Sequence, residues 1–149
     1  MKMAGVIAIL EDDPGRAKAM LRAIATRLPF LKAVVLDNAP DTIDWLARNI
    51  ASVAVLCLDH DLGPDRERNG LRFDPGTGRD VVDYLATQKL SCPVVIHSSN
   101  SVGASGMVCA LTDAGWSCAR VIPCDDLSWV GSTWVDAVEA TLTGGLRQP

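Results

Sequence analysis

The sequence predicts an α/β domain: an open, doubly wound sheet of five parallel strands with helices on both faces. Two observations carry this. Five short Val- and Ile-rich runs recur along the 149 residues, and the segments that follow them repeat their apolar residues with helical spacing. The runs are almost free of polar residues, as strands are when helices cover both their faces. The length suits one domain with a sizeable core, expected over 1–143 with 144–149 as a frayed tail.

The elements follow in order. The first strand is GVIAIL (5–10). In PGRAKAMLRAIATRL, Ala17, Met20, Leu21, Ile24 and Leu28 share one helical face, and Pro14 suits the first turn. LKAVVL (31–36) is the second strand, and APDTIDWLARNI aligns Ile43, Leu46 and Ile50 as the second helix. VAVLCL (53–58) is the third strand. The stretch from 63 to 78, GPDRERNGLRFDPGTG, is expected to be a long irregular loop, a feature that is uncommon in compact domains and often functional. GRDVVDYLATQKL aligns Val81 with Leu85, and Val82 and Tyr84 lie nearby. PVVIH (93–97) is the fourth strand, and VGASGMVCALTDAG is a helix stopped by Gly115. ARVIP (119–123) is the fifth strand, and WVGSTWVDAVEATL closes the chain. The simplest topology is the flavodoxin-like order 2-1-3-4-5, in which right-handed crossovers set strands 1, 3 and 4 side by side.

Composition narrows the function. Hydrophobic residues make up 48% and charged residues 21%, so the chain is not of the disordered class. A net charge of -4 argues against an extended nucleic-acid surface, yet leaves room for a small phosphorylated ligand or an RNA end. No apolar run reaches the ~18–20 residues of a membrane span. The N-terminal MKMAGVIAILEDD lacks the long apolar core of a signal peptide, so a cytoplasmic protein is expected. The five cysteines form no C-x-x-C, and read as buried small hydrophobes in a reducing compartment rather than as a zinc site.

Ligands of such sheets bind beyond the carboxyl ends of the strands, where strand order reverses. Three polar clusters fall there. Glu11, Asp12 and Asp13 follow strand 1; Asp59, His60 and Asp61 follow strand 3; His97, Ser98, Ser99 and Asn100 follow strand 4. Both histidines of the chain are among them. Glu11, Asp12 and Asp59 are candidate ligands for Mg2+, a hard ion served by oxygen; Asp12 or Asp13 also suits the cap of helix 1. Ser98, Ser99, Asn100 and Ser101 are candidate caps of helix 4, whose free N–H groups, with nearby Gly103, make an anion site. His60 and His97, with ordinary pKa values near ~6.5, suit acid–base work on a cyclic phosphodiester, with Asp59 orienting a histidine or a metal. Strict alternation along the strands would, however, turn Asp59 and His60 to opposite faces, and His97 and Ser98 likewise. Arg66, Arg68, Arg72 and Arg79 line or follow the long loop, either as a solvated face or as closers on a phosphate.

These clusters resemble response-regulator receiver domains. ILEDDP is similar to their acidic start, and LDHDL sets Asp59 at the phosphoacceptor position. Ser98 falls where receivers carry Ser or Thr, but strand 5 reads VIPCDD where they carry Lys followed by Pro. LDHDL, GTGRDV and HSSNSVGASGM together resemble the receiver-like family of cyclic-phosphate processing receiver domains over essentially the whole chain. Three functions follow as alternatives. The first is a phosphoesterase-like domain that binds, and opens, a cyclic phosphate on a nucleotide or RNA end. The second is a signalling receiver with Asp59 as phosphoacceptor. The third is a nucleotide-binding module without turnover. The sequence sets no oligomeric state.

Overall fold

A computed structural model describes residues 5–124 and 126–144. Residues 145–149 of the expected tail lie outside them. The strands β1 (Val6–Leu10), β2 (Lys32–Leu36), β3 (Val53–Leu58), β6 (Val94–His97) and β7 (Cys118–Val121) form one parallel sheet in the order β2-β1-β3-β6-β7. This is the predicted 2-1-3-4-5 order. The last strand starts and ends earlier than ARVIP suggested. β3 lies at the centre with all six residues buried, which is why VAVLCL carries no polar residue.

Alternation along the strands divides the core into two layers. Ile7, Ile9, Val55, Cys57 and Val95 face α1 (Pro14–Arg27) and α5 (Val135–Leu142). Ala8, Leu10, Leu56, Leu58, Val94 and Ile96 face α2 (Ala39–Asn49), α3 (Gly78–Leu85) and α4 (Ser101–Asp113). Met20, Ile24 and Leu28 bury the predicted stripe of α1, whereas Leu21 lies at its edge, 40% exposed. α5 is entered through a π-helical turn at Val130–Trp134, which buries Trp134 completely against the first layer. Gly115, at φ +87°, ends the stretch after α4 in the left-handed conformation its side chain-free backbone permits.

The stretch from 63 to 78 is not irregular. It folds into an antiparallel hairpin of β4 (Arg66–Arg68) and β5 (Leu71–Phe73). Asn69 and Gly70 both adopt positive φ, 55° and 78°, the two-residue turn that matches strand twist. The Arg68 guanidinium lies 4.1 Å over the Phe73 ring and pairs with Asp41 at 3.0 Å. Arg66 pairs with Asp37 at 3.2 Å, Arg72 with Asp65 at 2.7 Å and Arg79 with Asp83 at 2.8 Å. The four arginines are thus engaged with acids, two of them tying the hairpin to the start of α2. Among the described residues, no helix is long and apolar enough to cross a membrane.

Candidate functional site

The register of the sheet assembles the site. Leu10 pairs with Leu58 and Leu58 with Ile96. The next residue on each chain extends that row: Glu11, Asp59 and His97. The ladder continues to meet them, with Asp59 N donating to Leu10 O at 3.1 Å and Glu11 N to Leu36 O at 2.9 Å. All three continue the alternation of Ile9, Cys57 and Val95 and so point toward the α1 and α5 layer. Glu11 is 1% exposed, Asp59 3% and His97 0%.

Inside this row, His97 Nε2 lies 3.2 Å from Glu11 Oε1. The ring is walled by Trp129 and Trp134, with centroids at 6.2 and 6.4 Å. Glu11 Oε2 accepts from Asp13 N at 3.0 Å. Arg16, in the first turn of α1, sets Nε 3.3 Å from Glu11 Oε1 and Nη2 3.4 Å from Asp59 Oδ2. Asp59 Oδ1 accepts from His60 N at 2.7 Å. Burial pushes the Asp59 carboxyl up to about 6; Glu11 adds to the rise, while His97, Arg16 and the His60 N–H oppose it. Burial acts the same way on Glu11, but His97, Asp13 N–H and Arg16 outweigh it and hold that carboxyl below its usual value. Asp12 is raised by burial and then by the Glu11 charge.

One residue further, the chain turns to the other layer. His60 Nδ1 lies 2.7 Å from Asp61 Oδ1. Asn100 Nδ2 approaches that ring nitrogen at 3.4 Å and Asp61 Oδ1 at 3.2 Å. Two donors cannot share Nδ1, so the shorter contact sets the arrangement: Nδ1–H and Asn100 Nδ2 both donate to Asp61. In the neutral ring this tautomer leaves Nε2 as the lone-pair acceptor. The His60 bond is the main reason the Asp61 carboxyl lies below its usual value. The ring lies flat on α4, where a Cβ at Gly103 would stand 2.7–2.8 Å from Cδ2, Cγ and Nε2.

Asn100 is the cap of α4, its side chain accepting from Gly103 N at 2.8 Å. Ser98 is buried and its Oγ accepts from Asn100 N at 3.1 Å, while Ser99 is exposed. The N–H groups of Ser101 and Val102, in the first turn of α4, have no acceptor among the described residues. Asp13, rather than Asp12, caps α1, accepting from Gly15 N and Arg16 N. Asp12 stays partly buried at the rim, with its Oδ2 toward Gly63. The two imidazoles therefore serve different partners on different layers.

The model of the family described as Cyclic-phosphate processing Receiver domain matches residues 7–113, well over half of the sequence and including all three strand ends. The chain belongs to this family. No curated protein matches it. As a fold, this cyclic-phosphate processing receiver domain is similar to the phosphorylated cyanobacterial phytochrome response regulator RcpA. That likeness has a TM-score of 0.72 at 16% identity and covers 98% of this chain and 99% of that one. It is also similar to the non-phosphorylated receiver domain of RcsB from Escherichia coli, with a TM-score of 0.66 at 15% identity over 95% of each chain. The Mn2+-bound form of response regulator Rcp1 gives 0.63 at 15% identity over 97% of this chain and 96% of that one.

Glu11, Asp59 and His97 each offer a ligand atom within 4.8 Å of the others. Two buried carboxylates brought together with a single guanidinium against them fit a divalent cation. The trio differs from the sequence-based set: His97 joins it, and Asp12 stands beside it. Sequence reasoning also passed over Arg16. It is one of four basic residues on α1, and only the fold shows that it reaches the Asp59 carboxylate beyond β3.

Proposed function

We propose that this domain binds a cyclic phosphate ester, on a nucleotide or an RNA end, and opens it by hydrolysis with His60 as general base. The observation that carries this reading is the 2.7 Å His60–Asp61 contact at the start of α4, which fixes the ring with Nε2 free. Water attacks phosphorus, and its proton passes to His60 Nε2. One ring P–O bond breaks, and the departing alkoxide takes that proton back, leaving a phosphomonoester. Asp61 orients the ring and stabilises the imidazolium, as Asn100 orients Asp61. The Ser101 and Val102 N–H groups suit the phosphate oxygens. Glu11, Asp59 and His97, with Asp12 beside them, would hold a divalent ion, which neutralises charge on a phosphate when bound. His97, fully buried on Glu11, serves that carboxylate and the ion site rather than touching substrate.

Phosphorus NMR of 2′,3′-cyclic and 3′,5′-cyclic nucleotides incubated with the protein tests this. A monoester signal is expected to grow, and His60→Ala to slow it by ~10² to 10⁴. Full turnover by His60→Ala sinks the mechanism. A second reading makes Asp59 a phosphoacceptor. It is supported by the place of Asp59 at the end of the central strand beside Glu11. Incorporation of phosphate from acetyl phosphate, lost in Asp59→Asn and unaccompanied by cyclic-ester turnover, would favour it instead.

A further inference from the structure

We propose that Arg16 is the resident counter-cation of a divalent-metal site formed by Glu11, Asp59 and His97, and that metal binding and the Arg16 contacts exclude one another. The proposal stands whether or not a cyclic phosphate is opened, because it concerns the buried row and not the His60 rim.

Geometry supplies the first argument. The Arg16 guanidinium bridges the two carboxylates, reaching Glu11 Oε1 at 3.3 Å and Asp59 Oδ2 at 3.4 Å. Those are the oxygens a shared cation needs, and Glu11 Oε1 is already approached by His97 Nε2 at 3.2 Å. The contacts are loose. Charge-assisted N–H···O bonds settle near ~2.7–2.9 Å, and Arg16 Nε is buried without a well-formed hydrogen bond. The guanidinium balances charge here without satisfying its donors, and a smaller ion that fits between the oxygens outcompetes such an occupant.

Charge supplies the second. Glu11 and Asp59 bring two negative charges into a row that is almost sealed from water. Arg16 cancels one of them; a divalent ion cancels both. Keeping both cations would leave a net positive charge at short range in a poorly solvated place, where repulsion is strong. One must leave, and Arg16 has a route. Its side chain is 24% exposed, and Asp13, 51% exposed, already stands 3.9 Å from Nε as a partner outside the row. Arg16 is a single side chain on the first turn of α1, so its departure moves no backbone.

Donor chemistry names the ion. Two carboxylate oxygens and one imidazole nitrogen favour Mn2+, Co2+ or Zn2+ over Mg2+ or Ca2+, which prefer all-oxygen shells. The expectation of Mg2+ from the acids alone changes once His97 is included.

Titration of the full chain with Mn2+, followed by electron paramagnetic resonance of the free ion, tests the proposal. Trp fluorescence locates the ion, since Trp129 and Trp134 flank His97 and a paramagnetic metal there quenches them. Arg16→Met, which keeps the length and removes the charge, is expected to bind Mn2+ at least about ten-fold tighter than wild type and to melt lower without metal. Arg16→Lys should fall between the two. Glu11→Gln should abolish binding and quenching in either background, and Mg2+ should bind about ten-fold or more weakly than Mn2+. Equal or weaker Mn2+ binding by Arg16→Met overturns the exclusion. If Arg16→Met does not fold, wild-type affinity at or above that of Arg16→Lys overturns it equally. No binding to any variant at millimolar Mn2+ overturns the site. The Mn2+ titrations are read without substrate, and the His60→Ala comparison tests the base rather than the ion, so failure of one proposal is distinguishable from failure of the other.

Discussion

On the α1 side of the strand ends, Glu11, Asp59 and His97 are closed off from water and crowded with charge. On the α4 side, one residue later, His60 and Asp61 form a pair in which the Asp61 side chain is 65% exposed. Both regions consist of carboxylates and a histidine, but the terms that govern them differ. Desolvation is the largest influence on Asp59 and raises its pKa; for Asp61 the largest influence is the bond from His60, which lowers it. The buried row concentrates charge inside the fold, where an ion is proposed to bind, whereas the rim is open to the proton exchange proposed for His60. Alternation along three adjacent strands places these two environments back to back, and the sharpest tests separate them.

The largest effect should come from the one position that props up both. Gly78 N donates to His60 O at 2.8 Å, and a Cβ on Gly78 would fall on the Asp59 carbonyl and within 2.9 Å of the Met107 methyl. Gly78→Ala must push the β3 end away from α3. We expect a loss of roughly 3 kcal/mol, the upper range for overpacking against backbone. Urea denaturation measures it. Wild-type stability in Gly78→Ala would show that the strand end yields easily, and that the two regions are not held by this contact.

The next test addresses the buried row alone. His97→Ala opens a hole beside Trp129 and Trp134 and takes away the partner of a buried carboxylate. A loss of about 2 kcal/mol is expected. The His60 ring resonances should stay where they are, because no described contact joins the two rings. If they move, the regions are coupled across Asp59 and the comparison above breaks.

Much of this was legible in the sequence, because burial and alternation leave a plain trace. VIAIL-E, VAVLCL-D and VVIH run the same two-residue period into their polar ends, so the row of Glu11, Asp59 and His97 follows from strand register once strand order is known. The same period splits His60 from His97. The hairpin at 66–73 left a weaker trace. Asn69-Gly70 is a strong turn signal, but Arg-Glu-Arg and Leu-Arg-Phe carry too few apolar residues to read as strands. They hold through ion pairs to Asp37 and Asp41 and through stacking on Phe73, which are tertiary contacts. Arg16 left none: its partner Asp59 is 43 residues away, and a side chain's reach across a sheet has no period.

The smallest expected change in stability is also the most discriminating for the rim. In Gly103→Ala the new Cβ would stand 2.7–2.8 Å from three atoms of the His60 ring. Alanine gains up to about 1 kcal/mol over glycine within a helix, and the displaced ring gives back a similar amount, so net stability should change by less than about 0.5 kcal/mol. Displacement matters for geometry instead. The ring is held by one short bond to Asp61 and by its flat contact with α4, and lifting it off the helix moves Nε2 from its present place against Gly103. Turnover of a cyclic phosphate should therefore fall about ten-fold at unchanged stability, a loss of position rather than of the base itself. His60 ring resonances should shift in step. A Gly103→Ala protein with wild-type turnover and shifted resonances would mean that His60 is not the base. Wild-type turnover with unmoved resonances would mean that α4 yields at Gly103 and that the flat contact does not set the ring.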